Sequence, residues 1–221
     1  MSETFLAFQS SYTTVEIALF KGNVCCQIIT LTKFDASKHL TIALDTLLTT
    51  HHLSLADITF IAVNRGPGPF TTLRTVIASV NGLSFATNLP LIGVDGLEVF
   101  AQEFRDQHYP VTVYLLNAFA KQVYYCIQQE GQADIVGCCT LTDLLTTLKA
   151  DFAQQPIRFL GSGVALYADL IKETFNQQAV IPAPMPEQCS IKQVACVALA
   201  EWRKGRTGSF QLSPVYLKAA F

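Results

Sequence analysis

Apolar residues in the opening third of the chain come in short runs broken by polar turns, and their period then changes. Residues 5–9, 12–20 and 24–31 read as three strands, joined through Ser10-Ser11 and Lys21-Gly22-Asn23. Connections that short imply antiparallel neighbours. From 36 to 51 the period lengthens. Leu40, Ala43, Leu44, Leu47 and Leu48 share one helical face, with Asp35 or Ser37 placed as a cap. Residues 58–63 form a continuous apolar run, which is how a buried parallel strand reads. The pattern predicts a second helix over 70–87, a short strand over 91–94 and a helix over 96–105.

The order then starts again. Residues 111–117, 122–129 and 133–140 read as three strands, with Glu130-Gly131-Gln132 as the turn between the second and third. A helix over 143–150, a buried strand over 157–160 and helices over 164–175 and 191–203 follow. This repeats element order, not residue identity. It predicts two related α/β lobes, 1–107 and 108–221, with the C-terminal helix and tail packing back on the first.

Composition narrows the function classes. Half of the residues are hydrophobic and 14% are charged, which excludes a disordered chain. A net charge of −2 offers no broad positive field, so independent nucleic-acid binding is not expected. Arg203, Lys204 and Arg206 are the local exception and read first as the cationic end of a helix. The 7 cysteines include no C-x-x-C pair, and the 4 histidines form no metal-binding spacing. Cys25-Cys26 and Cys138-Cys139 sit in strand-like runs, where neighbours point to opposite faces, so reduced thiols are expected. With no bilayer-length apolar run and no signal-like N-terminus, the expected location is the cytoplasm, with no membrane contact.

The most specific segment is Asn64-Arg65-Gly66-Pro67-Gly68-Pro69-Phe70-Thr71-Thr72-Leu73-Arg74. Two glycines and two prolines after a buried strand force a tight turn into a helix. It is no P-loop, since no Gly-Lys-Ser/Thr follows, and its glycine spacing is wrong for a dinucleotide fingerprint. On the helix, Leu73, Val76, Ile77, Val80 and Leu83 can bury against a sheet, and Ala78, Ser79 and Gly82 permit close approach of another helix. Periodicity leaves open which apolar residues face inward.

Residues 65–83 resemble the G-R-G-P-G-S-F-T-G-L-R signature and following helix of the TsaB (YeaZ) family, subunits of the bacterial machinery for N6-threonylcarbamoyladenosine in tRNA. Phe5-Leu6-Ala7-Phe8-Gln9-Ser10, Leu89-Pro90-Leu91-Ile92-Gly93-Val94, Gly161-Ser162-Gly163 and Pro214-Val215-Tyr216-Leu217-Lys218 extend the resemblance over both lobes. It implies two RNase-H-like lobes of the acetate/sugar kinase, Hsp70 and actin type, with mixed sheets flanked by helices. It also implies a non-catalytic subunit that binds and activates a TsaD-type catalytic subunit, with a TsaE-type ATPase joining the pair. The family's contact uses the first two helices, so Leu40, Leu44, Leu47, Phe70, Leu73, Arg74, Ile77 and Val80 become the expected partner interface. A homodimer through the same helices is the expected alternative pairing. tRNA is reached only through the complex, with Arg203, Lys204 and Arg206 as the residues to test.

Departures from the family pattern point away from catalysis. Active members of the fold group place a metal-holding carboxylate at the end of the first strand of each lobe. Gln9 and Asn117 occupy those places, and a carboxamide cannot offset a hard divalent cation as Asp does. The family's D-A-R-x-G-E-V-Y stretch is Asn117-Ala118-Phe119-Ala120-Lys121-Gln122-Val123-Tyr124. Pro69 replaces Ser and removes an N–H donor from the turn, and Thr72 replaces Gly. No cofactor or metal is expected. The alternative is a stand-alone ATP-binding or peptidase-like enzyme of the same fold.

Overall fold

The computed structural model of the chain describes residues 2–217. It divides into two compact units, one holding residues up to Gly96 and again Ser190–Val215, the other holding Leu97–Cys189. The sequence reading divides the chain once, at 107–108. The contacts change unit after Gly96, after Cys189 and after Val215, with the last helix in the first unit.

In the first unit, β1 (Thr4–Ser10), β2 (Thr14–Lys21), β3 (Val24–Thr32), β4 (Ile61–Asn64) and β5 (Leu91–Val94) form one sheet in the order β3-β2-β1-β4-β5. The β1–β2 and β2–β3 pairs are antiparallel, and the β1–β4 and β4–β5 pairs are parallel. Helices α1 (Lys33–Thr50) and α2 (Phe70–Thr87) share a core with Leu6, Phe8, Ile17 and Val63. The opposite face of β1 carries Phe5, whose ring stacks between Phe20 and Phe60, and Phe60 stacks in turn on Trp202. Alternate residues of the central strand thus feed two cores, which is why its apolar run is nearly unbroken.

The second unit repeats this order. β6 (Val111–Asn117), β7 (Gln122–Gln129), β8 (Ile135–Thr140), β9 (Ile157–Leu160) and β10 (Ala179–Val180) are arranged β8-β7-β6-β9-β10. Two antiparallel pairs precede two parallel ones, as in the first unit. Helix α4 (Leu141–Asp151) and helix α5 (Ser162–Phe175) share the core of Val113, Leu115, Ile157 and Phe159. Helix α3 (Gly96–Glu103) precedes β6, and α6 (Ile191–Arg203) packs on β1, β4 and β5. Three antiparallel strands followed by two parallel ones make each unit an RNase-H-like lobe, as the resemblance implies.

Several element ends differ from the sequence reading. Helix α1 starts earlier than expected, and neither Asp35 nor Ser37 is its cap. Thr32 caps it, its hydroxyl accepting from Asp35 N at 3.3 Å and donating to Asp35 Oδ2 at 2.6 Å. Thr140 and Asp143 repeat the arrangement at α4. The hydroxyl satisfies an orphan helix N–H, and the carboxylate sits at the positive end of the helix. The fourth strand begins at Ile61, not 58, and ends on Asn64. β10 was not anticipated, because two residues carry no readable period.

Candidate functional site

The signature turn is anchored from below by a chain of carboxamides. Gln9, 1% exposed, donates from Nε2 to Glu16 Oε2 at 3.5 Å, directly across the β1–β2 pair. Gln9 Oε1 accepts from Asn64 Nδ2 at 3.2 Å, and Asn64 Oδ1 accepts from Gly66 N at 2.9 Å. Gly66 O then accepts from Gly96 N at 2.7 Å. A side chain on Gly96 would run into the Asn64 carboxamide. Gly66 itself is fixed twice over, by a φ of +93° and by Leu73 Cδ2, which a Cβ there would meet at 2.7 Å.

The links of this chain, Gln9 and Asn64, are neutral carboxamides, with Arg65 in the turn and Asp95 next to Gly96 as charged residues of the same corner. Glu16, on the neighbouring strand, faces Gln9 across the pair, and burial pushes its carboxyl above the usual value. Gly66 N is taken by Asn64, while Pro67 and Pro69 have no N–H to offer, so few donors remain for an anion. Helix α2 begins at Pro69 in an extended conformation with no side-chain cap. Thr72 lies inside α2, away from the turn, and among the described residues it is not one with positive φ. Among the described residues no group of three His, Cys, Asp or Glu is placed to hold a metal ion.

The expected interface residues separate into two sets. Leu40, Leu44, Leu47, Leu73, Ile77 and Val80 are buried in the core of the first unit. Phe70 and Arg74 are exposed, and the Arg74 guanidinium lies 3.7 Å from the centre of the Phe70 ring. The outward face of α2 continues through Ala78 and Gly82 to Phe85, which is 87% exposed. On α1 the exposed apolar residues are Phe34 and Ile42. A groove of about 150 Å³ runs between the helices, lined by Phe8, Leu40, Thr41, Leu44, Ser79, Val80 and Leu83. Four large apolar side chains, Phe34, Ile42, Phe70 and Phe85, thus stand on two neighbouring helices, with small residues on α2 between them. Sequence reasoning named only Phe70 of these four. Residues 70, 74, 78, 82 and 85 fall on one helical stripe, but the apolar residues of α2 extend onto its other faces, so the pattern alone does not single that stripe out.

In the second unit Asn117 ends β6. Its Oδ1 accepts from Phe119 N at 2.9 Å, and its own N–H donates to Ser162 Oγ at 3.3 Å. Phe119, Ala120 and Lys121 all have positive φ, of 60°, 49° and 60°. A carboxamide here folds the turn onto itself. Gly161, with a φ of +113°, brings the Gly161-Ser162-Gly163 turn against the backbone of Leu115. The expected tRNA-contact residues are engaged in ion pairs. Arg203 makes a two-pronged pair with Glu3 at 2.9 and 2.8 Å, and Lys204 and Arg206 both face Glu201. Lys218 of the near-terminal motif lies outside the described residues.

Residues 31–217 match the family model described as TsaD, tRNA N6-adenosine threonylcarbamoyltransferase. The chain is 27% identical over 222 residues to the tRNA threonylcarbamoyladenosine biosynthesis protein TsaB of Escherichia coli, covering 96% of this chain and 94% of that one. The TsaB of Bacillus subtilis is 28% identical over 185 residues, 80% of this chain and 79% of that one. The solved structure of YeaZ from Pseudomonas aeruginosa superposes with a TM-score of 0.70 at 25% identity, covering 97% of this chain and all of that one. The chain belongs to the TsaD-type family, as a TsaB (YeaZ) member. The resemblance carried by residues 65–83 therefore holds over nearly the whole length. Within this TsaB member, the signature turn is a packed corner, and no helix among the described residues is long and apolar enough to cross a membrane.

Proposed function

We propose that the chain is a non-catalytic partner subunit of the machinery that forms N6-threonylcarbamoyladenosine in tRNA, and that it binds and activates a TsaD-type catalytic subunit. The observation that carries this reading is the outer face of α1 and α2. Phe34, Ile42, Phe70 and Phe85 are between 55% and 87% exposed on two helices that also share a groove of their own, lined by Leu40, Leu44, Ser79, Val80 and Leu83. Full burial of a wholly exposed side chain of this kind is worth about 1.5–3 kcal/mol, and Phe34 and Phe85 have most of that still to gain. Ala78 and Gly82 leave room for a facing helix. The carboxamides Gln9 and Asn117 support a subunit that leaves the metal and the transfer step to its partner. A TsaE-type ATPase then engages the pair, tRNA is met through the complex, and the setting is the cytoplasm. Without the catalytic subunit, the same face pairs two copies of this chain.

Co-expression with the host's TsaD-type subunit, followed by sizing, tests the reading. Co-elution is expected for the wild type and its loss for Phe85→Asp. Separate elution of the folded wild-type chain and the TsaD-type subunit would refute it.

A further inference from the structure

Beyond α6 the chain runs back along the first unit as an extended strap. Ser209 exchanges both backbone hydrogen bonds with Leu91, at 2.8 and 3.0 Å, forming an antiparallel bridge on the outer side of β5. The approach is close: a Cβ on Gly208 would meet Pro90 Cβ at 2.5 Å. Ser209 Oγ then accepts from Gln211 N at 3.2 Å, turning the strap toward α2.

At Leu212 the strap meets Asn81, in the middle of α2. Leu212 N donates to Asn81 Oδ1 at 2.9 Å, and Asn81 Nδ2 donates to Leu212 O at 3.0 Å. One carboxamide satisfies both backbone groups, as a neighbouring strand would. The Leu212 side chain packs against the core of the unit. Three residues on, Val215 N donates to Arg65 O at 2.9 Å, at the first residue of the signature turn. The strap therefore touches β5, α2 and the turn that launches α2.

The geometry around α2 makes this more than edge protection. Ser79 lines the groove shared with α1, and Asn81 holds the strap. Two residues apart on a helix is about 200° around it. Helix α2 is thus gripped on opposite flanks, by α1 and by the strap, with Val76 and Val80 buried beneath. Arg74, Ala78, Gly82 and Phe85 lie on the side left exposed.

We propose that Asn81 and the strap Ser209–Val215 are positioning elements that fix the angle at which α2 and the signature turn meet the partner, so that strap closure and partner binding are coupled. The proposal rests on the docking reading above. Coupling between two sites is reciprocal: if a closed strap favours binding, binding must favour a closed strap.

Amide hydrogen exchange on the chain, alone and in complex with the TsaD-type subunit, provides the test. Binding is expected to slow exchange at the Leu212 and Val215 amides at least ten-fold, although neither lies on the outer stripe. Asn81→Leu removes both carboxamide bonds with little change of shape and is expected to weaken the complex at least ten-fold. Ile171→Val, in the core of the second unit, controls for a general loss of stability and should bind within two-fold of wild type. Unchanged exchange at Leu212 and Val215 in the complex would overturn the proposal, as would wild-type affinity of Asn81→Leu. If Asn81→Leu does not fold, the exchange measurement on the wild type still decides. Failure of the docking reading has a different signature, namely undiminished binding by Phe85→Asp.

Discussion

Replacing Gln9 with Glu asks directly whether the end of β1 is a neutral pin or a cation site. Gln9→Glu keeps the shape of a side chain that is 1% exposed, and it keeps the acceptor for Asn64. It replaces the donor that faces Glu16 at 3.5 Å with a second carboxylate. Two unit charges at that separation repel by roughly 5 kcal/mol at an effective dielectric near 20. Side-chain rotation and water on the open side of Glu16 reduce this to about 2–3 kcal/mol, still a large share of a domain's stability. The pair escapes by holding a proton, and burial already pushes the Glu16 carboxyl up. A carboxyl raised in the folded state keeps its proton after the unfolded chain has lost it. Its stabilising effect is therefore full below the unfolded value of 4.5 and is lost as pH rises through the folded value. Urea unfolding followed by circular dichroism should find the variant close to wild type near pH 4.5 and about 2–3 kcal/mol less stable at pH 8. A stability difference that does not change with pH would refute the reasoning. So would recovery at pH 8 on adding millimolar Mg²⁺, since the corner would then still take a cation.

Other substitutions test the local geometry and electrostatics. Gly131 has a φ of +73° and nothing within 4 Å of a would-be Cβ, whereas Gly161 combines a φ of +113° with the Leu115 backbone. Urea titration should show Gly131→Ala losing about 1–2 kcal/mol from conformation alone, and Gly161→Ala losing a further ~1–3 kcal/mol from the clash; equal losses would count against the packing account. Lys121, held at a φ of 60°, should tolerate Lys121→Gly with a gain of about 1 kcal/mol in thermal or urea unfolding, and a loss would show that its side chain matters more than its backbone. Hydrogen bonding to Arg203 pulls the Glu3 carboxyl down from 4.5 to about 2, so its contribution is present above pH 4.5 and lost as pH falls toward 2. Because the pair is partly open to solvent the effect is small, and comparison of wild type with Glu3→Gln across that window, with an NMR titration of Glu3, checks it.

Much of the architecture is legible in the sequence because the two cores impose distinct periods. The doubled order of elements is visible, and the bounds of α2 and α6 agree with the pattern. The cap of α1 is legible but differs from the Asp35 or Ser37 expected: Thr32-Lys33-Phe34-Asp35 and Thr140-Leu141-Thr142-Asp143 are the same T-x-x-D box, one in each unit. The outward face of α2 was harder. Its apolar residues nearly encircle the helix, so periodicity does not separate Leu73, Ile77 and Val80, which are buried, from Phe70 and Phe85, which are not. Contacts across long sequence separations left no local trace. Nothing near Arg203 announces Glu3, and nothing near Asn81 announces Leu212. The role of the Gln9 carboxamide as a pin depends on Asn64, which reaches it from β4 and leaves no local trace near Gln9.

The central claim is that the outer face of α1 and α2 is where a TsaD-type subunit docks. The most direct test is the affinity of that complex, measured by calorimetry, for Phe85→Asp beside Ile135→Asp. Both replace an apolar residue that is 87% or 49% exposed, the first on α2 and the second on β8 of the other unit. The account predicts a loss of about 100-fold or more for Phe85→Asp, the size expected of a buried aromatic anchor. Ile135→Asp should bind within two-fold of wild type. Equal affinity of Phe85→Asp and wild type, with both chains folded, would contradict it.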